Sequence, residues 1–326
     1  MRVCWPYAPA RLPLVAVLLL VACARFTDVR VPPGQAPLLR EHPLAGRIWD
    51  VRHARFVDAD AVVAGLATSR YVLLGEKHDN PDHHHIQAAL LRALLGTGRR
   101  PAVAFEMFTS DQAAALARQL AALPRDAAAI GEAVHWNDSG WPDWDYYRPI
   151  AQAALDAGVP IVAGNLPLTT VRGIARGEAE ALPADLRTRY GLDHPLAPVL
   201  HARLTDEIRE SHCGTLPDNR LDGMVLAQRA RDAKLADSLL AADRDGGVLI
   251  AGLGHVREDW GVPTYLRARA PGARVATVAP LEVQRDWTQP ADYAAEFDGV
   301  LPYDWIWFTP RMDEDDPCAQ FKRDKP

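Results

Sequence analysis

Five short apolar runs, free of polar alternation, restrict the fold more than any other feature of the chain. They are YVLL (71–74), AVAF (102–105), PIVAG (160–164), GVLIAG (247–252) and RVATVA (274–279). A strand with one wet face alternates apolar and polar residues, whereas a strand covered by helices on both faces does not. Helical patterns lie between the runs. IQAALLRALLGTG (86–98) sets Ile86, Leu90, Leu91, Leu94 and Leu95 on one face and stops at Gly96 and Gly98. SDQAAALARQLAAL (110–123) opens with Ser110 in a capping position, and RPIAQAALDAG (148–158) closes at Gly158. Strand then helix, repeated, predicts right-handed βαβ units, hence an α/β fold with an open, mostly parallel sheet flanked by helices. Residues 166–246 show only helical patterns, among them LDGMVLAQRARDAKLADSLLAAD (221–243), and are expected to form a helical insertion or cap.

The residues that follow these runs are unusually polar. Gly75, Glu76 and His78 follow the first, Glu106 the second, Gly164 and Asn165 the third, and Gly252, Gly254 and His255 the fourth. In a parallel sheet all these carboxyl ends lie along one edge, where open α/β proteins bind their ligands. Four strands thus bring potentially ligating groups to a common rim. Each residue also has a plainer role open to it. Glu76 could neutralise a helix N-terminus, Glu106 could pair with an arginine, and His255 could bond a backbone carbonyl.

Two further stretches stand out. GEKHDNPDHHH (75–85) places His83, His84 and His85 in the first turn of a helix, with Asp82 as the expected N-cap. Successive helical residues point about 100° apart, so the three cannot face one ligand. One or two are expected to look toward the rim and another toward solvent. HWNDSGWPDWDYYRP (135–149) gathers three of the nine tryptophans and two tyrosines in a Pro- and Gly-punctuated segment. It reads either as a wall for a flat ligand or partner, or as rings folded back onto the domain.

The N-terminus reads as a targeting signal. LPLVAVLLLVA (12–22) follows Arg2 and Arg11 and is too short for a bilayer span of about 20 residues. It runs into Leu20-Val21-Ala22-Cys23, which resembles a bacterial lipobox, with Cys23 as the lipidated first residue of the mature chain. Ala24 after it, by resemblance to sorted lipoproteins, favours the outer membrane. The expected organisation is a signal peptide over 1–22, a Pro-rich tether over 23–45, the α/β domain over 46–310, and a tail over 311–326. Cys213 and Cys318 could pair in an oxidising compartment, though spacing alone does not bring them together. Among the 326 residues 24% are charged, for a net −6, which argues against a nucleic-acid surface.

The blocks LLGEKHDNPDHHHIQ, AFEMF, AGNLP and GLGHVREDWGVPTYL, in this order, resemble the ChaN family of haem-binding uptake lipoproteins. That family sits in a superfamily with Tiki-type metalloproteases, TraB-like proteins and erythromycin-esterase-like enzymes. The resemblance covers about residues 45–310. It implies an outer-membrane lipoprotein facing the periplasm that holds haem reversibly, as a homodimer around cofacial haems, and passes it on from or to an outer-membrane haem receptor. The absence of a CxxCH motif agrees with non-covalent binding. Tyr146 or Tyr147, beside Arg148 for a propionate, is the preferred ligand region. His83, His84 or His85 could supply a ligand or propionate hydrogen bonds. The sequence does not choose between the tyrosines. The enzymatic relatives keep a second reading open, in which Glu76, His78, Glu106 and His255 bind a divalent metal or act as acid and base in a hydrolase. Neither HExxH nor GxSxG occurs. A non-catalytic scaffold would leave the rim carboxylates without a purpose.

Overall fold

The five apolar runs form the middle of a single sheet. In the computed structural model, which describes residues 1, 29–122, 125–242, 245–316 and 318–319, the strands are β1 (Ile48–Asp50), β2 (Arg55–Val57), β3 (Tyr71–Leu74), β4 (Ala102–Thr109), β5 (Ile161–Asn165), β6 (Gly247–Ile250), β7 (Val275–Glu282) and β8 (Trp305–Thr309). Their order is β2-β1-β8-β7-β3-β6-β4-β5. Every pairing from β8 to β5 is parallel, and β1 runs antiparallel to both β2 and β8. The sheet is therefore mixed and mostly parallel. Its antiparallel edge was not anticipated, because β1 and β2 are three residues each and carry no continuous apolar run.

The pleat sends alternate residues of each central strand to opposite faces, and both faces are dry. Val72 and Leu74 join one core with Val103, Phe105, Val248 and Ile250. Tyr71 and Leu73 join a second with Ala104, Leu249 and Ala251. Each fully buried leucine stabilises the fold by roughly 1.5–3 kcal/mol relative to exposure. The helices supplying the outer layers are α1 (Ala59–Ala67), α2 (Pro81–Gly96), α3 (Ala113–Ala121), α4 (Ala127–Ala133), α5 (Trp144–Asp156), α6 (Leu168–Ala175), α7 (Ala184–Tyr190), α8 (Pro198–Ser211), α9 (Asp218–Ala241), α10 (Leu253–Val256) and α11 (Val262–Arg269).

Residues 166–246 hold α6 to α9 and no strand among the described residues. They are more than a cap, however. Leu235, Ala236 and Leu239 of α9 belong to the second sheet core, so α9 is one of the helices covering that face.

The chain ends also depart from expectation. The described part of the segment read as a tether is docked: Ala36 and Leu44 are fully buried, and Leu38 forms a β-bridge with Arg311 of the tail. Cys23 and the signal stretch lie outside the described residues. Cys213, just after α8, is disulfide-bonded to Cys318, tying the helical insertion to the tail. No helix among the described residues is long and apolar enough to cross a membrane.

Candidate functional site

The rim at the strand carboxyl ends is real, and a cleft of about 530 Å³ opens there. Glu76, His78, Glu106 and His255 all line it, although they come from three strands and are spread over more than half the chain. Gly252 shows how closely they converge. A Cβ at this position would stand 3.0 Å from His78 Nε2 and 3.5 Å from Glu106 Oε2. Without one, the Gly252 backbone N–H donates to Glu106 Oε2 at 2.7 Å.

Two carboxylate–imidazole assemblies meet in this cleft. In the first, the buried Glu76 places Oε1 2.7 Å from His78 Nδ1 and accepts the Tyr147 hydroxyl at 2.8 Å. Its other oxygen lies 3.2 Å from His84 Nδ1. Burial alone would raise the Glu76 pKa, but the neighbouring His84 and His78 rings outweigh it and hold the carboxyl well below the usual range. Burial likewise opposes charge on His78, and there the Glu76 hydrogen bond with the Glu106 and Glu76 charges wins, so its pKa is raised. With Nδ1 committed to Glu76, His78 turns Nε2 to the cleft, its ring packed against Trp141 at 4.8 Å between centroids.

In the second assembly, Glu106 lies 3.3 Å from His255 Nε2 and is hydrogen-bonded by Arg231. His255 Nδ1 is 2.5 Å from Asp232 Oδ1. Burial would lower the His255 pKa; the charges of Glu106 and Asp232 lift it instead to about 9. Glu106 is correspondingly held well below the usual carboxylate range, burial being outweighed by His255 and Arg231. Asp232 goes the other way, raised by its own burial.

A second chamber of about 390 Å³ adjoins the cleft and shares Glu106, Trp141, Val171 and Arg231 with it. Asn165 lines this chamber and bonds backbone at both ends of its amide, donating to the Glu106 carbonyl and accepting from Leu166 N–H.

The remaining expected residues occupy other places. Asn80, not Asp82, caps α2, with Pro81 at its first position. Asp82 accepts instead from Gln35 N–H at 2.5 Å and Ala36 N–H at 3.3 Å, which anchors the N-terminal segment. No member of the histidine triplet lines the cleft. His83 is buried, accepting from Lys77 N–H and donating to Thr309 Oγ1; burial and the His84 charge push its pKa down to about 3, so it stays neutral. His84 is buried and donates through Nε2 to the His78 carbonyl at 2.9 Å. His85 faces the N-terminal segment, its Nε2 3.5 Å from Gln35 Nε2.

The aromatic segment mostly folds inward. Trp136, Trp144 and Tyr147 join the first core, and only Trp141 reaches the cleft. Tyr147 is fully buried, and burial with the Glu76 charge drives its pKa far upward, which keeps it a phenol. Tyr146 is half-buried and stacked on His84 at 5.5 Å. Arg148 is exposed and pairs with Asp145 at 3.0 Å. Among the described residues no group of three or more His, Cys, Asp or Glu side chains is placed to hold a metal ion.

Residues 62–266 match the protein family described as "Haem-binding uptake, Tiki superfamily, ChaN". The chain belongs to the ChaN family. Among solved structures it is similar to ChaN of Campylobacter jejuni, described for cofacial haem binding, at 20% identity with a TM-score of 0.61, covering 80% of this chain and 95% of that one. That likeness confirms the shared α/β fold. Weaker similarities join it to the type III effector HopBA1 (13% identity, TM-score 0.44, 88% and 99% covered) and to erythromycin esterase EreC (13%, 0.41, 84% and 98%). No curated protein matches the sequence.

Sequence reasoning missed Gln228, Arg231 and Asp232, all on α9 and all at the site. Gln228 Nε2 lies 3.2 Å from His255 Nδ1. The missed signal was their shared helical face, one otherwise made of buried alanines and leucines. A buried Asp on such a face calls for a partner.

Proposed function

We propose that this ChaN-family chain is a lipid-anchored, periplasm-facing protein of the outer membrane that holds haem reversibly during iron uptake. Membership of a haem-binding uptake family across residues 62–266 carries the haem assignment. The cleft is chemically suited to it. Trp141, Leu204, Ile208, Met224 and Trp260 offer apolar flanks for a porphyrin plane, while the two cations of the lining are already paired, Arg231 with Glu106 and Lys77 with Asp79, Glu282 and Asp313. Within it His78 is the proposed iron ligand, because Glu76 fixes its Nδ1 and leaves Nε2 toward the cleft. Tyr146 is the second reading. Its ring is partly exposed on His84, and its hydroxyl makes no hydrogen bond among the described residues.

Hemin titration separates these assignments. The chain should give a saturable Soret shift that His78→Ala weakens at least about tenfold, the scale of losing one ligating contact. Loss with Tyr146→Phe and not with His78→Ala transfers the ligand to the tyrosine. No saturable shift at all ends the carrier reading. The anchor rests on the leader and Cys23: labelled palmitate should enter the whole chain and not Cys23→Ala. The homodimer around cofacial haems and the docking to a haem receptor follow from the same family reading, and sedimentation with and without hemin tests the former.

A further inference from the structure

One wall of the haem cleft is a single helix face. Leu204, Glu207, Ile208, Ser211 and His212, from α8 and its C-cap, all line the cleft. Their i, i+3, i+4, i+7, i+8 spacing puts them on one side of the helix. This wall rests on a small core of its own, where Leu204 and Ile208 meet Leu221 and Val225 of α9 and Trp260. Among the described residues α8 contributes to neither sheet core. Its ion pairs, Arg203 with Asp298 and Asp259 and Glu207 with Arg257, reach solvent on at least one side, and pairs of that kind hold little.

The firmest tie is covalent. Cys213 directly follows His212 and is disulfide-bonded to Cys318. The tail leading to Cys318 is docked on the sheet. Met312 N–H donates to Glu282 Oε1 at 2.9 Å, and Asp313 pairs at 3.6 Å with Lys77, itself a lining residue. The disulfide thus fastens the α8 wall to the strand side of the same cleft.

Two features suit this tie to opening. Both cysteines are half-buried, and Ser211, Gly214, Thr215 and Asp316 near them in sequence are exposed, so a thiolate can reach the sulfurs. Cys213 also stands in the left-handed region at φ 58°, with Gly214 following at φ 63°. A non-glycine residue keeps that backbone only where its surroundings hold it.

We propose that Cys213–Cys318 is a redox strap on the haem cleft: oxidised, it holds α8 against the cleft, and reduced, it loosens α8 and speeds haem exit. A dithiol drives the step. One of its thiolates attacks a strap sulfur to form a mixed disulfide, and its second thiol then displaces the remaining strap cysteine. Two electrons and two protons pass to Cys213 and Cys318, and the donor leaves as a disulfide. The cargo rests on the haem reading of the cleft, whereas the strap itself does not.

The test compares the full chain oxidised, the full chain reduced with dithiothreitol and alkylated, and the Cys213→Ser, Cys318→Ser double variant. Without hemin, α8 amides should exchange hydrogen at least about tenfold faster in the second and third than in the first, while β3 and β6 stay protected over the same interval. Loaded with hemin, those two should lose it to a haem-free globin about tenfold faster than the oxidised chain. Unchanged α8 exchange overturns the proposal, as does an α8 that opens only together with β3 and β6. Faster α8 exchange with unchanged haem loss overturns it too, since the strap would not gate the cleft. A chain that takes up no hemin sinks the haem reading, and α8 exchange alone then decides whether the strap stands.

Discussion

At the scale of single residues, the site is a set of acids and bases that hold one another in fixed charge states. The buried Tyr147 hydroxyl donates to Glu76 at 2.8 Å and lies 3.5 Å from His78 Nδ1. Tyr147→Phe therefore removes a donor from a buried carboxylate and should destabilise the fold by about 1–3 kcal/mol in urea unfolding, with the hemin spectrum unchanged. His255 makes a pH-dependent contribution whose sign is definite. Its pKa rises from 6.5 to about 9 on folding, so it stabilises the protein fully below pH 6.5 and loses that effect as pH climbs through 9. The difference is at most on the order of 3 kcal/mol. Thermal melts from pH 6 to 10 should show this decline in the native chain and a flatter profile in His255→Gln. If His78 ligates iron through a neutral Nε2, its raised pKa gives hemin affinity an upward slope with pH. A propionate contact from the protonated ring would give a downward one.

The elements divide into those the sequence announces and those it conceals. The rim residues Glu76, His78, Glu106 and His255 were legible because each follows an uninterrupted apolar run, and parallel strands leave those ends no choice of side. Edge strands β1 and β2 were not, since three residues carry too little pattern to register a period. The fate of His83 and Tyr147 was hidden for another reason: burial is decided by Thr309 and Glu76, partners far away in the chain. The role of α9 was likewise underestimated, although its alternation of small and large apolar residues is plain. Leu235→Ala should cost about 2–5 kcal/mol, as expected of a sheet-covering core position and not of a peripheral cap. Gly223 marks where α6 lies against α9. A Cβ there would stand 2.5 Å from the Ala175 carbonyl, so Gly223→Ala should push the pair apart at about 1–3 kcal/mol in chemical denaturation.

For the molecule as a whole, the Cys213–Cys318 bond spans a sequence separation of 105. Closing so long a loop restricts the unfolded chain by about 4–5 kcal/mol on the chain-entropy account. Reductant should lower the denaturation midpoint of the native chain and leave a Cys213→Ser, Cys318→Ser double variant unmoved. The strand order has a temporal consequence as well. β3 bears Glu76 and His78 at its end, yet its two neighbours, β6 and β7, begin at Gly247 and Val275. A chain emerging N-terminus first thus carries half of its rim for most of its synthesis with nothing to lay it against. Ligand-binding competence arrives late, so a product cut short before β6 lacks His255 and leaves β3 without either of its neighbours.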